Sequence, residues 1–162
     1  MPKNLPQIKL LVLLTVMIIA AALIIMTVKN NQITADGPLK EKMAAVYRSA
    51  GCGCCANYIA YLKRAGVRVE EKLTEDMAAV RKKFSVSDEL SSCHTTQIEN
   101  YTIEGHIPIE AIEKLLAEKP NLAGIALPLM PAGSPGMPGR KVETFNISGF
   151  TAAGSSSPYL SL

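Results

Sequence analysis

The sequence predicts a small α/β domain behind one apolar N-terminal helix. Three observations carry that reading. From position 43 onward, strand-like runs take turns with stretches of helical period, the element order of an α/β domain. Leu10–Val28 is apolar apart from Thr15 and Thr27, the length a helix needs to cross a bilayer. The 162 residues include no Trp and only 5% aromatics, so the core must be mainly aliphatic. A chain of this length can build such a core without disulfide staples.

Residues 1–29 read as a membrane anchor or signal segment. Lys3 and Lys9 precede the apolar run, so the positive-inside rule leaves the N-terminus in the cytoplasm and exports the remainder. The run is longer than the apolar region of a signal peptide, which favours an uncleaved anchor over cleavage near Ala20-Ala21-Ala22. Residues 30–42 are polar and carry Asp36-Gly37-Pro38, a linker.

The domain proper is expected over 43–147. Met43–Tyr47 reads as a buried strand before a Gly-rich turn. Tyr58, Ile59 and Leu62 then recur at helical spacing, with Lys63 and Arg64 in the last turn and Gly66 as the cap. Val67–Glu70 alternates as a strand with one buried face does. Thr74 is placed to cap a second helix, in which Met77, Val80 and Phe84 face the core. Ser85–Ser92 is a polar loop. Thr95–Gln97 and Tyr101–Ile103 read as short strands joined by a turn at Glu99-Asn100. Pro108 opens a third helix with an apolar stripe at Ile109, Ile112, Leu115 and Leu116, ended by Pro120. Gly124–Leu127 and Val142–Ile147 complete the strands, on either side of a rigid Pro/Gly loop that displays Met130 and Met137. Residues 148–162 are Gly/Ser-rich and read as a mobile tail.

Charge says little about partners. The formal net charge is +3, and the three lysines before Asp36 account for it. With no basic tract and no aromatic residues interleaved with basic ones, nucleic acid is not an expected partner. No phosphate-binding loop, hydrolase nucleophile elbow or paired-carboxylate site is present.

The chemistry concentrates in the cysteines. Three of the four lie in Gly51-Cys52-Gly53-Cys54-Cys55, and the fourth, Cys93, directly precedes His94. The two glycines are expected to let the backbone bend sharply enough to turn several sulfurs toward one point. Cys52 and Cys55 have the Cys-x-x-Cys spacing of a dithiol at a helix start, where the dipole favours thiolate. A dithiol exchanger has no need of Cys54; a metal cluster does. With His94 beside Cys93, and thioether sulfur on Met130 and Met137, the donor set suits copper, Cu(I) in particular, as one ion or more. Zinc is the alternative ion, through Cys52, Cys55, Cys93 and His94. His106, just before the helix-opening Pro108, is a ligand candidate or a hydrogen-bonding residue. Four exported cysteines also admit structural disulfides, including a bridge from the motif to Cys93 as an oxidised form of the metal site.

Four strings in order resemble a bacterial family of predicted metal-binding proteins that includes the periplasmic copper-resistance protein CopG. They are Gly51–Cys55, Ser92-Cys93-His94-Thr95, Tyr101 with Glu104-Gly105-His106, and Met130-Pro131 through Gly133–Met137. The likeness runs from about Ala44 to Ile147. It implies a thioredoxin-like fold, a small mixed sheet flanked by helices. It also implies a copper site at Cys52, Cys54, Cys55 and Cys93, and copper resistance or trafficking in the periplasm with other copper-handling proteins as partners. An enzymatic role, on this resemblance, would be that of a copper-dependent oxidoreductase. Two positions depart from the family: Tyr58 where Trp is usual, and Leu129 where Gly usually precedes Met-Pro. The competing readings are a thiol–disulfide oxidoreductase using Cys52 and Cys55, and a zinc- or iron–sulfur-binding structural domain.

Overall fold

The computed structural model describes residues 13–22 and 37–162, in two compact units divided after Thr34. In the first unit, 13–22 form a helix, α1, with every described side chain exposed. No helix among the described residues is long and apolar enough to cross a membrane. The remainder of the apolar run and most of the linker lie outside the described residues.

The second unit is a seven-stranded mixed sheet with helices. Its elements are β1 (Met43–Arg48), α2 (Gly53–Arg64), β2 (Arg68–Leu73), α3 (Met77–Lys83), β3 (His94–Ile98), β4 (Tyr101–Gly105), α4 (Ile109–Glu118), β5 (Gly124–Leu127), β6 (Asn146–Phe150) and β7 (Ser156–Ser161). The strand order is β2-β1-β3-β4-β5-β6-β7. β1 and β2 run parallel through α2, and β4 and β5 run parallel through α4, because a parallel pair needs a crossover connection. The other neighbours are antiparallel.

The helical stripes read from sequence are the buried ones. α2 buries Tyr58, Ile59 and Leu62 together with Cys55, and α4 buries Ile109, Ile112, Leu115 and Leu116. All of these except Cys55 join Val46, Ile103 and Ile125 from the sheet in one mainly aliphatic core. α3 departs from expectation. Its N-cap is Asp76, whose side chain accepts from the Ala79 amide at 2.8 Å, while the Thr74 hydroxyl accepts from the Asp76 amide. None of its residues is fully buried, and Met77, Val80 and Phe84 are half-buried rather than part of the core.

The C-terminus requires the largest correction. The last predicted strand starts at Asn146, not Val142, and residues 148–162 complete β6 and supply all of β7, with β7 at the sheet edge. Tyr159, Leu160 and Leu162 pack against the core, and Phe145 and Leu162 exchange backbone hydrogen bonds. The Gly/Ser content hid this anchoring. Pro158 is tolerated because an edge strand has an unpaired side.

Candidate metal centre

The site lies where β1, β3 and β4 meet the opening turn of α2. Arg48, the last residue of β1, fixes the cysteine loop. Its Nη1 donates to the carbonyls of Ser49 at 2.8 Å, Ala50 at 3.1 Å and Cys52 at 3.4 Å, and its guanidinium pairs with Glu71 of β2. Cys52 is the N-cap of α2, and Cys54 and Cys55 stand in the first turn. The flanking glycines are not what bends this loop. Neither Gly51 nor Gly53 has a positive φ, and a Cβ on either would meet nothing within 4 Å.

All four sulfurs converge. The Sγ atoms of Cys52, Cys54, Cys55 and Cys93 lie within 4.8 Å of one another. Cys52 and Cys55 are joined as a disulfide, with Cα atoms 5.3 Å apart, and Cys54 and Cys93 are free. The bridge therefore lies inside the Cys-x-x-Cys pair and does not run to Cys93. Cys54 Sγ is 3.5 Å from Cys52 Sγ and 3.8 Å from Cys93 Sγ.

Cys93, His94 and His106 form a second convergent set within the same 4.8 Å limit. His106 Nδ1 is 2.6 Å from the Pro135 carbonyl, which can only accept, so Nδ1 carries the proton. Nε2 is then a lone pair, and it faces Cys93 Sγ at 3.1 Å. His94 Nδ1 is 3.4 Å from the same sulfur, and its Nε2 is buried with no hydrogen-bond partner. Nδ1 is therefore the His94 nitrogen turned toward the sulfurs, and the Gly105 backbone lies beside the ring. The His94 ring lies against Tyr58, centroids 4.5 Å apart, and edge-on to His106 at 4.8 Å. Tyr58, read from sequence as a packing residue, also anchors its hydroxyl on the Ile107 carbonyl at 2.9 Å.

Burial disfavours the charged form of each of these groups. Burial, then the nearby Cys54 thiol, pushes Cys93 up to about 12. Burial, then His106, brings His94 down to about 3. Burial also lowers His106.

Sequence reasoning named Glu104 only within the run Glu104-Gly105-His106 and missed what it holds. Its carboxylate accepts from the Ser92 amide at 2.7 Å and from the Thr95 hydroxyl at 2.6 Å, bracing the chain on both sides of Cys93-His94. Burial raises it to about 7. Gly105 follows with φ +79°; a Cβ there would lie 2.6 Å from the Leu127 carbonyl oxygen and 2.7 Å from Ser92 Oγ. The available signal was the run Glu104-Gly105-His106 at a strand end: an acid inside a buried strand, then a glycine, then a potential ligand.

The Pro/Gly loop seats on the site. Gly136, φ +85°, lies so close to α2 that a Cβ would come within 2.8 Å of the Tyr58 amide nitrogen and 3.0 Å of the Cys54 carbonyl oxygen. Asn57 Nδ2 donates to the Gly136 carbonyl at 3.4 Å. Met137, next along, is half-buried. Met130 is exposed, and both it and Leu129 have left-handed backbone, at φ 48° and 66°. The structure thus brings together Cys52, Cys54, Cys55, Cys93, His94 and His106. It places the two methionines on the covering loop.

The donor set fits a soft metal ion. Two sulfurs bound tetrahedrally at about 2.3 Å stand about 3.8 Å apart, and the Cys54–Cys93 separation already has that value. With the disulfide closed, Cys54, Cys93 and the two imidazoles remain as donors. Its reduction adds two thiolates.

A family model described as "Protein of unknown function, DUF411" matches residues 90–137, the stretch from before Cys93 through Met137. Two solved structures, Form 1 and Form 2 of a copper resistance protein CopG, are each 35% identical to this chain. They align over 76% of it with TM-scores of 0.69 and 0.70, covering 98% and 99% of their own chains. No match was found among curated proteins.

Proposed function

The chain belongs to the family of the copper resistance protein CopG, and from that premise we propose that it is a copper-binding protein of the cell envelope. In this reading the cargo is Cu(I), held as one or more ions by the thiolates of Cys52, Cys54, Cys55 and Cys93. The single observation that carries it is the convergence of those four sulfurs within 4.8 Å. His94 and His106 supply nitrogen donors to the same centre, and Met137 and Met130 offer thioether sulfur on the loop above it. The first four strands, in order β2-β1-β3-β4 with β1 and β2 parallel, support a thioredoxin-like unit extended by β5, β6 and β7. The apolar run Leu10–Val28 would tether the domain to the inner membrane on its periplasmic side. Its role would be copper resistance or trafficking with other periplasmic copper-handling proteins.

Copper bound here would supply a one-electron couple beside a thiol pair. The chain's own part is to set which donors are available. Arg48 holds the loop, Glu104 holds Cys93, and the Pro135 carbonyl turns the His106 lone pair inward.

The test is anaerobic titration of the reduced full chain in detergent with Cu(I), against a competing chelator. The expected result is more than one copper per chain, with loss of at least half of it in Cys54→Ser and in Cys93→Ser. Wild-type stoichiometry in both variants would sink the cluster, and zinc in place of copper after competition would reassign the site.

One observation favours a second reading. Cys52 and Cys55 are already a disulfide at a helix start, the arrangement of a thiol–disulfide oxidoreductase. Retention of disulfide-reductase activity in Cys54→Ser, together with loss in Cys55→Ser and unchanged copper binding in both, would select it.

A further inference from the structure

Cys54 has no role in a simple Cys-x-x-Cys exchanger, yet it is the central sulfur of the cluster. It lies 3.5 Å from one sulfur of the disulfide and 3.8 Å from the remaining free thiol. Cys52, Cys54 and Cys93 thus stand at the corners of a compact triangle, with all four sulfurs within 4.8 Å of one another and Cys54 in contact with both the bridge and the free thiol. We propose that the site carries out an internal disulfide transfer, in which the bond moves from Cys52–Cys55 to Cys54–Cys93 through Cys54.

The transfer takes two exchange steps, each an attack of thiolate on disulfide sulfur. In the first, Cys54 thiolate attacks Cys52 Sγ. A Cys54–Cys52 bond forms, the Cys52–Cys55 bond breaks, and Cys55 leaves as thiolate with the bonding pair. In the second, Cys93 thiolate attacks Cys54 Sγ. A Cys93–Cys54 bond forms and Cys52 leaves as thiolate. Two protons depart from Cys54 and Cys93, and two are taken up by Cys55 and Cys52. One disulfide is present at the start and one at the end, so no oxidant or reductant is consumed.

The consequence is a choice of donors at constant oxidation level. With the bond at Cys52–Cys55, the free sulfurs are Cys54 and Cys93, the latter beside His94 and His106. With the bond at Cys54–Cys93, the helix-start pair is free, and the bridge ties α2 to the residue just before β3. A partner would meet a different pair of thiols in each isomer.

The test needs no metal, so its failure leaves the copper reading standing. Metal-free full chain in detergent, carrying one disulfide by thiol count, is held anaerobically without redox reagents, quenched in acid, alkylated and digested with trypsin. Cleavage after Arg48, Lys63, Lys83 and Lys114 places Cys52, Cys54 and Cys55 on one peptide and Cys93 on another. The starting bridge lies within the first peptide, whereas the transferred bridge links the two. The expected result is a linked pair in at least a tenth of the molecules, lost in Cys54→Ser and in Cys54→Ala while the internal bridge persists. Circular dichroism identifies whichever of those two variants is folded. Cys93 alkylated in every wild-type molecule would overturn the proposal. So would a linked pair that survives removal of the Cys54 sulfur, because Cys93 would then attack without the relay.

Discussion

The two ends of the sheet are built on different terms. Around β1, β3 and β4, polar side chains bonded to backbone and to one another do the holding: Arg48 to three carbonyls, Glu104 to Ser92 and Thr95, His106 to the Pro135 carbonyl. At β6 and β7, backbone pairing and apolar area dominate, with Ile147 buried and Leu160 and Leu162 against the core, and the side-chain bonds from Ser161 to Asn146 and from Tyr159 to Glu118 are exposed. Buried polar networks fix direction, whereas apolar packing fixes proximity. A metal centre needs direction, because a lone pair turned away binds nothing.

Breaking the apolar end should therefore cost stability and spare the site. Ile147→Ala is expected to lower unfolding free energy by about 2–5 kcal/mol, measured by denaturant melts of the metal-free protein. Its folded fraction should keep wild-type Cu(I) affinity in chelator competition. A tenfold loss of affinity would show that the two ends are not separable.

The converse change is Gly136→Ala. Its Cβ cannot coexist with the Tyr58 amide nitrogen at 2.8 Å, and positive φ disfavours alanine, so the loop must lift from α2. The expected stability loss is smaller, about 1–3 kcal/mol. Cu(I) affinity should fall roughly 10- to 100-fold as His106 loses its orienting carbonyl. Unchanged affinity would mean that the loop does not set the site.

The smallest effect sharpens the comparison through pH. Glu104, held up to about 7, keeps a proton in the folded chain that the unfolded chain releases above about 4.5. It therefore makes stability fall as pH rises across that window. His94, held down to about 3, refuses in the folded chain a proton that the unfolded chain takes up below about 6.5, so it makes stability rise with pH up to about 6.5. The two oppose each other between about pH 4.5 and 6.5. Glu104→Gln removes the falling contribution. Metal-free stability should then climb more steeply than in wild type, by at most about 1.4 kcal/mol per pH unit. Parallel profiles would remove Glu104 from the pH dependence.

Much of this was legible in the chain. The apolar stripes of α2 and α4 have helical period because each presents one face to the sheet, and periodicity survives in sequence. The cysteines were legible because few other roles place three of them in four positions. What stayed hidden was long-range. Nothing near Glu104 announces that it will reach Ser92, 12 residues back, and nothing near Pro135 announces His106, 29 residues away. The C-terminal strands were hidden for another reason. Their pairing uses backbone groups that every residue has, so small polar residues could form them once Tyr159, Leu160 and Leu162 found the core.

The Pro135 carbonyl has a consequence for dissection of the molecule. A fragment cut just before Pro128 would retain every cysteine and both histidines, the whole inventory of cysteine and imidazole ligands. It would nonetheless lack the oxygen that decides which nitrogen of His106 carries hydrogen. A peptide mimic or minimal scaffold chosen by counting ligands would inherit the atoms of the centre without its tautomer.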